Sequence, residues 1–265
     1  MRIPGARQVE LHSRIASTNL RARELVAQGA PPFTVVVADE QSGGRGRSGK
    51  GWHSPPGGLW ISVLLPPPAD GPHGRVSILL GVATAEALEE VAGVEIGLKW
   101  PNDLLLTASE GGEVLGKVGG ILCEVASGTG HRALLVAGFG VNLLRFPVGI
   151  RPAGAVALEE GTSREVERGV VATALVEALR RWVDPPPPGG LPLAALQAWA
   201  RRDLLLGHGV VTSDGRRGVA DGIDPTGTLR LRQENGEVAA IVSGSVRRQG
   251  EGTPALFAGR DLESG

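Results

Sequence analysis

Residues 35–58 read VVVADEQSGGRGRSGKGWHSPPGG, an apolar run followed by a glycine-rich basic loop. Two phosphate-binding motifs begin this way. Gly44-Arg45-Gly46-Arg47-Ser48-Gly49 fits the dinucleotide fingerprint G-x-G-x-x-G, and Gly44 with Gly49-Lys50 nearly fits the phosphate loop G-x-x-x-x-G-K-[ST]. Both motifs need a helix to open at the last glycines, because its N-terminal N–H groups hold the phosphate. Here the chain continues Gly51-Trp52-His53-Ser54-Pro55-Pro56-Gly57-Gly58, and so dense a run of proline and glycine cannot start a packed helix. Gly51 also stands where a phosphate loop needs a magnesium-binding hydroxyl. The stretch therefore reads as strand, basic loop, strand.

Composition narrows the function classes. The chain has 265 residues, 42% of them apolar, enough for one substantial core and a second small unit. A net charge of −1 gives no global attraction to nucleic acid or to a membrane. No apolar run is long enough to span a bilayer, and MRIPGARQVE carries no secretory h-region. Cys123 is the only cysteine, which excludes internal disulfides and cysteine-based zinc clusters. These features point to the cytoplasm.

Outward from the loop, IASTNLRARELVAQG predicts a helix capped by Ser17-Thr18-Asn19 and closed at Gly29. LWISVLL reads as the second strand, and VSILLGVATAEALEEVAG as an apolar-striped helix. VEIGLKW predicts a short strand stopped by Pro101. VGGILCEVA and RALLVAGFGVNL predict a strand pair joined by the turn SGTGH. SREVERGVVATALVEALRRWV predicts a long helix with Ser163, Glu165 and Glu167 at its acidic start. After the stiff break DPPPPGG, LAALQAWARRDLL predicts a last helix. Beyond about residue 205 only short strands and turns are expected, with Asn235-Gly236 a hairpin signal. Residues 250–265 read as a loosely ordered tail.

Four islands carry chemistry: Ser17-Thr18-Asn19, the loop Gln41 to Trp52, Lys99-Trp100-Pro101-Asn102-Asp103, and Lys117 to Leu122. Each has a plain structural reading as a helix cap, a surface turn, a strand end or a flanking charge. Together, in this order, they resemble the biotin protein ligases. The resemblance runs from about Ser17 to Arg247 and rests on Gly44-Arg45-Gly46-Arg47-x-Gly49-x-x-Trp52, Lys99-Trp100-Pro101-Asn102-Asp103, Lys117-x-x-Gly120-Ile121-Leu122 and Gly138-x-Gly140-x-Asn142.

The resemblance implies an α+β fold, with a mixed, largely antiparallel sheet backed by helices over residues 1–204 and an SH3-like β-barrel over 205–249. It implies activation of biotin by ATP as biotinyl-5′-AMP, then transfer to a lysine of a biotin carboxyl carrier protein of acetyl-CoA carboxylase. Ser17, Thr18, Asn19, Gln41, Arg45, Gly46, Arg47, Lys117 and Gly120 become candidate biotin contacts. Arg45, Arg47, Trp52, Asn102, Asp103, Lys117 and Asn142 become candidate ATP contacts, with Lys117, Arg45 and Arg47 as catalytic candidates. Magnesium enters with the ATP phosphates, with Asp103 the candidate ligand. The Gly-Arg loop is expected to be a lid, mobile when open, that orders over the adenylate. Ser17 lies too near the start to follow a winged-helix domain, so a short form without DNA binding, and a homodimer, are expected. A lipoate protein ligase would share fold and chemistry, but the Gly-Arg-Gly-Arg loop and the barrel disfavour it. A nucleic-acid-binding module would need a larger basic patch with exposed aromatics than Arg45, Arg47 and Lys50 provide.

Overall fold

The structure, a computed structural model, describes residues 1–67, 74–108, 112–127 and 133–250. The chain runs β1 (Gln8–Ile15), α1 (Thr18–Ala27), β2 (Thr34–Gln41), β3 (Gly58–Leu65), α2 (Gly74–Ala92), β4 (Glu95–Lys99), β5 (Asp103–Thr107), β6 (Val114–Ser127), β7 (Ala133–Asn142), α3 (Arg168–Val183) and α4 (Leu193–Ala200). Five short strands follow: β8 (Gly209–Thr212), β9 (Arg217–Ile223), β10 (Leu229–Arg232), β11 (Val238–Ile241) and β12 (Val246–Arg248).

The first seven strands form one sheet in the order β1-β2-β3-β7-β6-β5-β4. Only β1 and β2 are parallel, and α1 makes the crossover that a parallel pair requires. The other neighbours are antiparallel. This is the α+β class expected from the sequence. The last five strands make a separate antiparallel sheet, β11-β10-β9-β8-β12, in the region predicted as a barrel.

Period-two alternation sorts side chains onto the two faces of the large sheet. Leu59, Ile61, Val63 and Leu65 of β3, with Leu135, Ala137, Phe139 and Val141 of β7, join the main core with α2 and α3. On the opposite face, Val36, Leu64, Val136, Ala126 and Leu134 pack with Ala22 and Val26 of α1. α1 is short and covers only part of that face. The sheet beyond its N-terminus stays open to the functional cavity.

Arg202 holds the far end of the fold. Its guanidinium donates to both carboxylate oxygens of Glu89 on α2 and to the carbonyl of Ala198, and its own carbonyl accepts from the amide of Leu98 on β4. The pairing with Glu89 raises the Arg202 pKa against the opposing effect of burial. Arg202→Ala should leave Glu89 half-buried without its main partner. We expect a loss of about 2–3 kcal/mol, somewhat below the range for a fully buried broken pair, read as a lower urea midpoint at unchanged m.

Three differences from the sequence reading have physical causes. β1 was not predicted: QVELHSRI is mostly polar because it is an edge strand with one neighbour. β5 was not predicted either, but Asp103–Thr107 pairs with both β4 and β6. The long helix opens at Arg168 rather than Ser163. The residues just before it cap α2 instead: Thr162 Oγ1 donates to the carbonyl of Ala92, and the Arg164 guanidinium to those of Glu90 and Val91. The SGTGH turn from residue 128 on and the tail from residue 251 on lie outside the described residues.

Candidate active site

The cavity has a floor made by absent side chains. Ser62 on β3 pairs with Gly138 on β7, which pairs with Leu122 on β6. One row along, Trp60 pairs with Gly140, Gly140 with Gly120, and Gly120 with Asp103. Gly138, Gly140 and Gly120 thus lie side by side on the face that α1 leaves open. A Cβ at Gly138 would overlap the Asn19 amide, and one at Gly140 would lie 2.5 Å from Trp52 Nε1. Gly140→Ala should therefore displace the Trp52 ring. Such overpacking costs about 1–3 kcal/mol, so kcat/KM for biotin activation should fall about 10-fold or more. Steady-state adenylation kinetics check this, with the melting temperature reporting on the fold.

Above the floor lies a space of about 430 Å³. Its neutral end is built by the start of α1. Ser17, Thr18 and Asn19 are all buried. The amide N–H of Thr18 donates to Gln41 Oε1 at 2.8 Å, and Gln41 Nε2 donates to Ser54 Oγ at 2.8 Å. Ser62 Oγ, also buried, lies 2.8 Å from Thr18 Oγ1 and 2.6 Å from Asn19 Oδ1. Ser17 is the N-cap residue, yet its side chain makes no capping hydrogen bond. The Ser-Thr-Asn cluster thus does more than cap the helix.

The basic loop is a closed hairpin. Gln41 bridges to Ser54 and Arg45 to Gly51, the Trp52 amide donates to the carbonyl of Gly44, and the Gly46 amide to that of Lys50. The turn is tight: Ser48 (φ 57°) and Gly49 (φ 73°) take left-handed backbone conformations. No helix follows Gly49, in keeping with the exclusion of both phosphate-loop motifs. Arg47 reaches across the cavity. Its Nη1 donates to Asn102 Oδ1 at 3.1 Å and to the carbonyl of Gly244, between β11 and β12, at 3.2 Å. Burial pulls the Arg47 pKa down and the nearby Asp103 carboxylate opposes this. Both hydrogen-bond partners are neutral, so the guanidinium holds charge in a desolvated place without a carboxylate bonded to it.

The charged end gathers the remaining candidates. Lys117 Nζ donates to Asp103 Oδ1 at 2.6 Å and sits 5.2 Å from the centre of the Trp52 ring. Asn102 is fixed by donating to the carbonyl of Ile121. Asp103 is the only carboxylate among the described residues that line the cavity, and no group of three or more potential metal ligands is present among the described residues.

Ser17, Thr18, Asn19, Gln41, Arg45, Gly46, Arg47, Trp52, Asn102, Asp103, Lys117 and Gly120 all line this one cavity. Asn142 does not. It is buried, and its amide donates to the carbonyl of Val156 and, at 3.4 Å, to that of Lys117, so it braces the strand that carries Lys117. Sequence reasoning missed Ser62, a lone hydroxyl in an apolar strand. It also missed Ser213, Gly244, Ser245 and Val246, which come from the C-terminal sheet.

A strand-built cavity with a neutral hydrogen-bonding end, a cationic end and a glycine-rich basic hairpin defines a small-molecule activating site. The profile of the biotin/lipoate A/B protein ligase family matches residues 11–142. A biotin–[acetyl-CoA-carboxylase] ligase of Paracoccus denitrificans is 34% identical over 232 residues, covering 83% of this chain and 92% of its own length. The bifunctional ligase/repressor BirA of Bacillus subtilis is 32% identical over 237 residues, covering 85% and 69%. The solved biotin protein ligase of Aquifex aeolicus in complex with biotin and ATP superposes with a TM-score of 0.70 at 28% identity, over 91% of this chain and 99% of that one. The chain belongs to the biotin/lipoate A/B protein ligase family, and within it to the biotin protein ligases.

Proposed function

We infer that this protein is an ATP-dependent biotin–protein ligase. The observation that carries the reading is the joining of two unlike ends in one cavity. The neutral end offers small hydroxyl and amide groups, complementary to a cyclic urea with one carbonyl and two N–H groups. The charged end offers Arg47 and Lys117, suited to a carboxylate meeting a phosphate.

In the first step a carboxylate oxygen of biotin attacks the α-phosphorus of ATP, the α–β P–O bond breaks, and pyrophosphate leaves. In the second, the amine of an acceptor lysine attacks the acyl carbon of biotinyl-5′-AMP, loses a proton, and AMP leaves. The acceptor is the biotin carboxyl carrier of acetyl-CoA carboxylase. Lys117 places an ammonium where negative charge grows at the phosphoryl group, and Arg47 supplies a planar cation there. Asp103 holds Lys117 in place. A magnesium ion arriving with ATP would neutralise phosphate charge, and Asp103, the one carboxylate among the described lining residues, would be its candidate ligand, since such ions need only one or two. The hairpin shields the reactive anhydride from water.

Residues 1–204 form the catalytic unit of this reading, and 205–249 the unit that completes its wall. No described helix is long and apolar enough to cross a membrane, and an ATP-using enzyme acting on a carboxylase subunit belongs in the cytoplasm. We expect no sequence-specific DNA binding, because a net charge of −1 gives no general attraction to the duplex and Arg45, Arg47 and Lys50 are a small basic cluster that lines the cavity. A gel shift with biotin and ATP present tests that expectation, and light scattering tests the expected homodimer.

The deciding experiment is exchange of labelled pyrophosphate into ATP. Exchange should require biotin and should not be supported by lipoate. Exchange with lipoate alone would reverse the assignment.

A further inference from the structure

Glu124 stands on β6 outside the cavity lining, and no step of the reaction above uses it. Its Oε2 accepts from Asn19 Nδ2 at 3.1 Å. Its Oε1 faces the Arg23 guanidinium at 3.7 Å, toward solvent.

A carboxylate accepts hydrogen bonds and has none to give. Asn19 must therefore turn Nδ2 to Glu124 and Oδ1 to Ser62. Oδ1 has no proton either, so the 2.6 Å contact holds only if Ser62 donates. Ser62 has a single proton, now committed. Its 2.8 Å contact with Thr18 then needs the proton of Thr18, and among the described residues the other acceptor for that proton is Gln41 Oε1 at 3.1 Å. In either case the proton of Thr18 stays inside the protein. Toward the cavity, Thr18 Oγ1 presents lone pairs only.

We propose that Glu124 is a positioning residue for substrate recognition: through Asn19 and Ser62 it sets the direction of a buried hydrogen-bond chain, so that Thr18 meets the ligand as an acceptor and selects for an N–H donor. The proposal rests on reading the neutral end as the urea pocket. Without the carboxylate, Asn19 is free to turn its amide and offer Nδ2 to Ser62. The proton of Ser62 then passes to Thr18, and the hydroxyl of Thr18, now tied only by the longer 3.1 Å contact to Gln41 Oε1, is free to donate to a ligand instead. The pocket loses its preference between donor and acceptor, while its shape stays the same.

The test compares biotin with its two cyclic carbamate analogues, each with one ureido N–H replaced by a ring oxygen, as substrates for pyrophosphate exchange. The wild-type enzyme should reject the analogue that places its oxygen on Thr18 by about 100-fold in kcat/KM, because two acceptors then face each other. Glu124→Leu should raise KM for biotin about 10-fold with kcat nearly unchanged, and reduce the discrimination to less than about 5-fold. Glu124→Gln keeps an acceptor for Asn19 and should restore most of it. Ser62→Ala cuts the chain at its middle and should also abolish discrimination, which keeps the proposal testable if Glu124→Leu folds poorly. In the Ser62→Ala background, Glu124→Leu should add nothing. Arg23→Ala should behave as wild type. Unchanged discrimination in Glu124→Leu or in Ser62→Ala overturns the proposal, and so does equal impairment of the Leu and Gln variants. A wild-type enzyme that makes no biotinyl-adenylate would instead overturn the functional reading itself.

Discussion

Lys117→Ala should slow formation of biotinyl-adenylate about 100-fold or more, the size of effect seen when one preorganised donor is taken from a site of developing charge. The ammonium is well placed for that role. It is held by Asp103 at 2.6 Å and rests over the Trp52 ring, so its direction is set before substrates meet. Removing it leaves Asp103 without its hydrogen-bonded cation beside the phosphates, which adds to the loss. Biotin alone should still bind with little change, because the groups at the neutral end do not depend on Lys117. Single-turnover formation of the adenylate, measured beside equilibrium biotin binding, separates the two effects. A wild-type rate in the variant would remove Lys117 from the mechanism.

Arg47→Gly should convert the enzyme into a source of diffusing biotinyl-adenylate. Arg47 ties the hairpin to Asn102 and to the carbonyl of Gly244. Hydrogen bonds to a charged group contribute about 1.5–3 kcal/mol, so the closed hairpin should lose roughly a factor of 10 to 100 in stability relative to open forms. The anhydride should then escape before the carrier arrives and acylate lysines at random. Incubation with biotin, ATP and an unrelated lysine-rich protein should show bystander labelling at least 10-fold above wild type. Adenylate formation without extra bystander labelling would show that the hairpin does not retain the intermediate.

The site was more legible in the sequence than the fold around it. Arg45, Arg47, Asn102, Asp103 and Lys117 carry chemistry that is unusual in such close spacing, so their motifs stand out against any local structure. The strand-loop-strand reading around Gly44 also followed from local rules, since two prolines forbid a helix wherever the chain lies. Ser62 was hidden because one hydroxyl in LWISVLL reads as strand noise; only the partners that α1 brings to it give it a role. Gly138 and Gly140 were visible as a motif, yet their use depends on which sheet face they open and on what would collide there. Asn142 was misplaced for the same reason, since its motif position says nothing about the carbonyls it braces. β5 was missed because the strand signal of its leucines begins immediately after a turn motif. The pairing of the loop as a hairpin was not legible from its glycines, because its backbone donors find their acceptors across the turn.

The tie from Arg47 to Gly244 gives the C-terminal sheet a say in when the enzyme becomes competent. On a ribosome, residues 17–140 of the pocket are made well before Gly244. A nascent chain, or one cut after α4, would own the motif residues of the cavity yet lack one of the two acceptors for Arg47, along with the wall from Ser213 to Val246. Such a chain would be the one most prone to spill a reactive acyl group among its neighbours. Placing that acceptor so far behind Arg47 in the sequence links safe handling of the anhydride to synthesis of the C-terminal sheet.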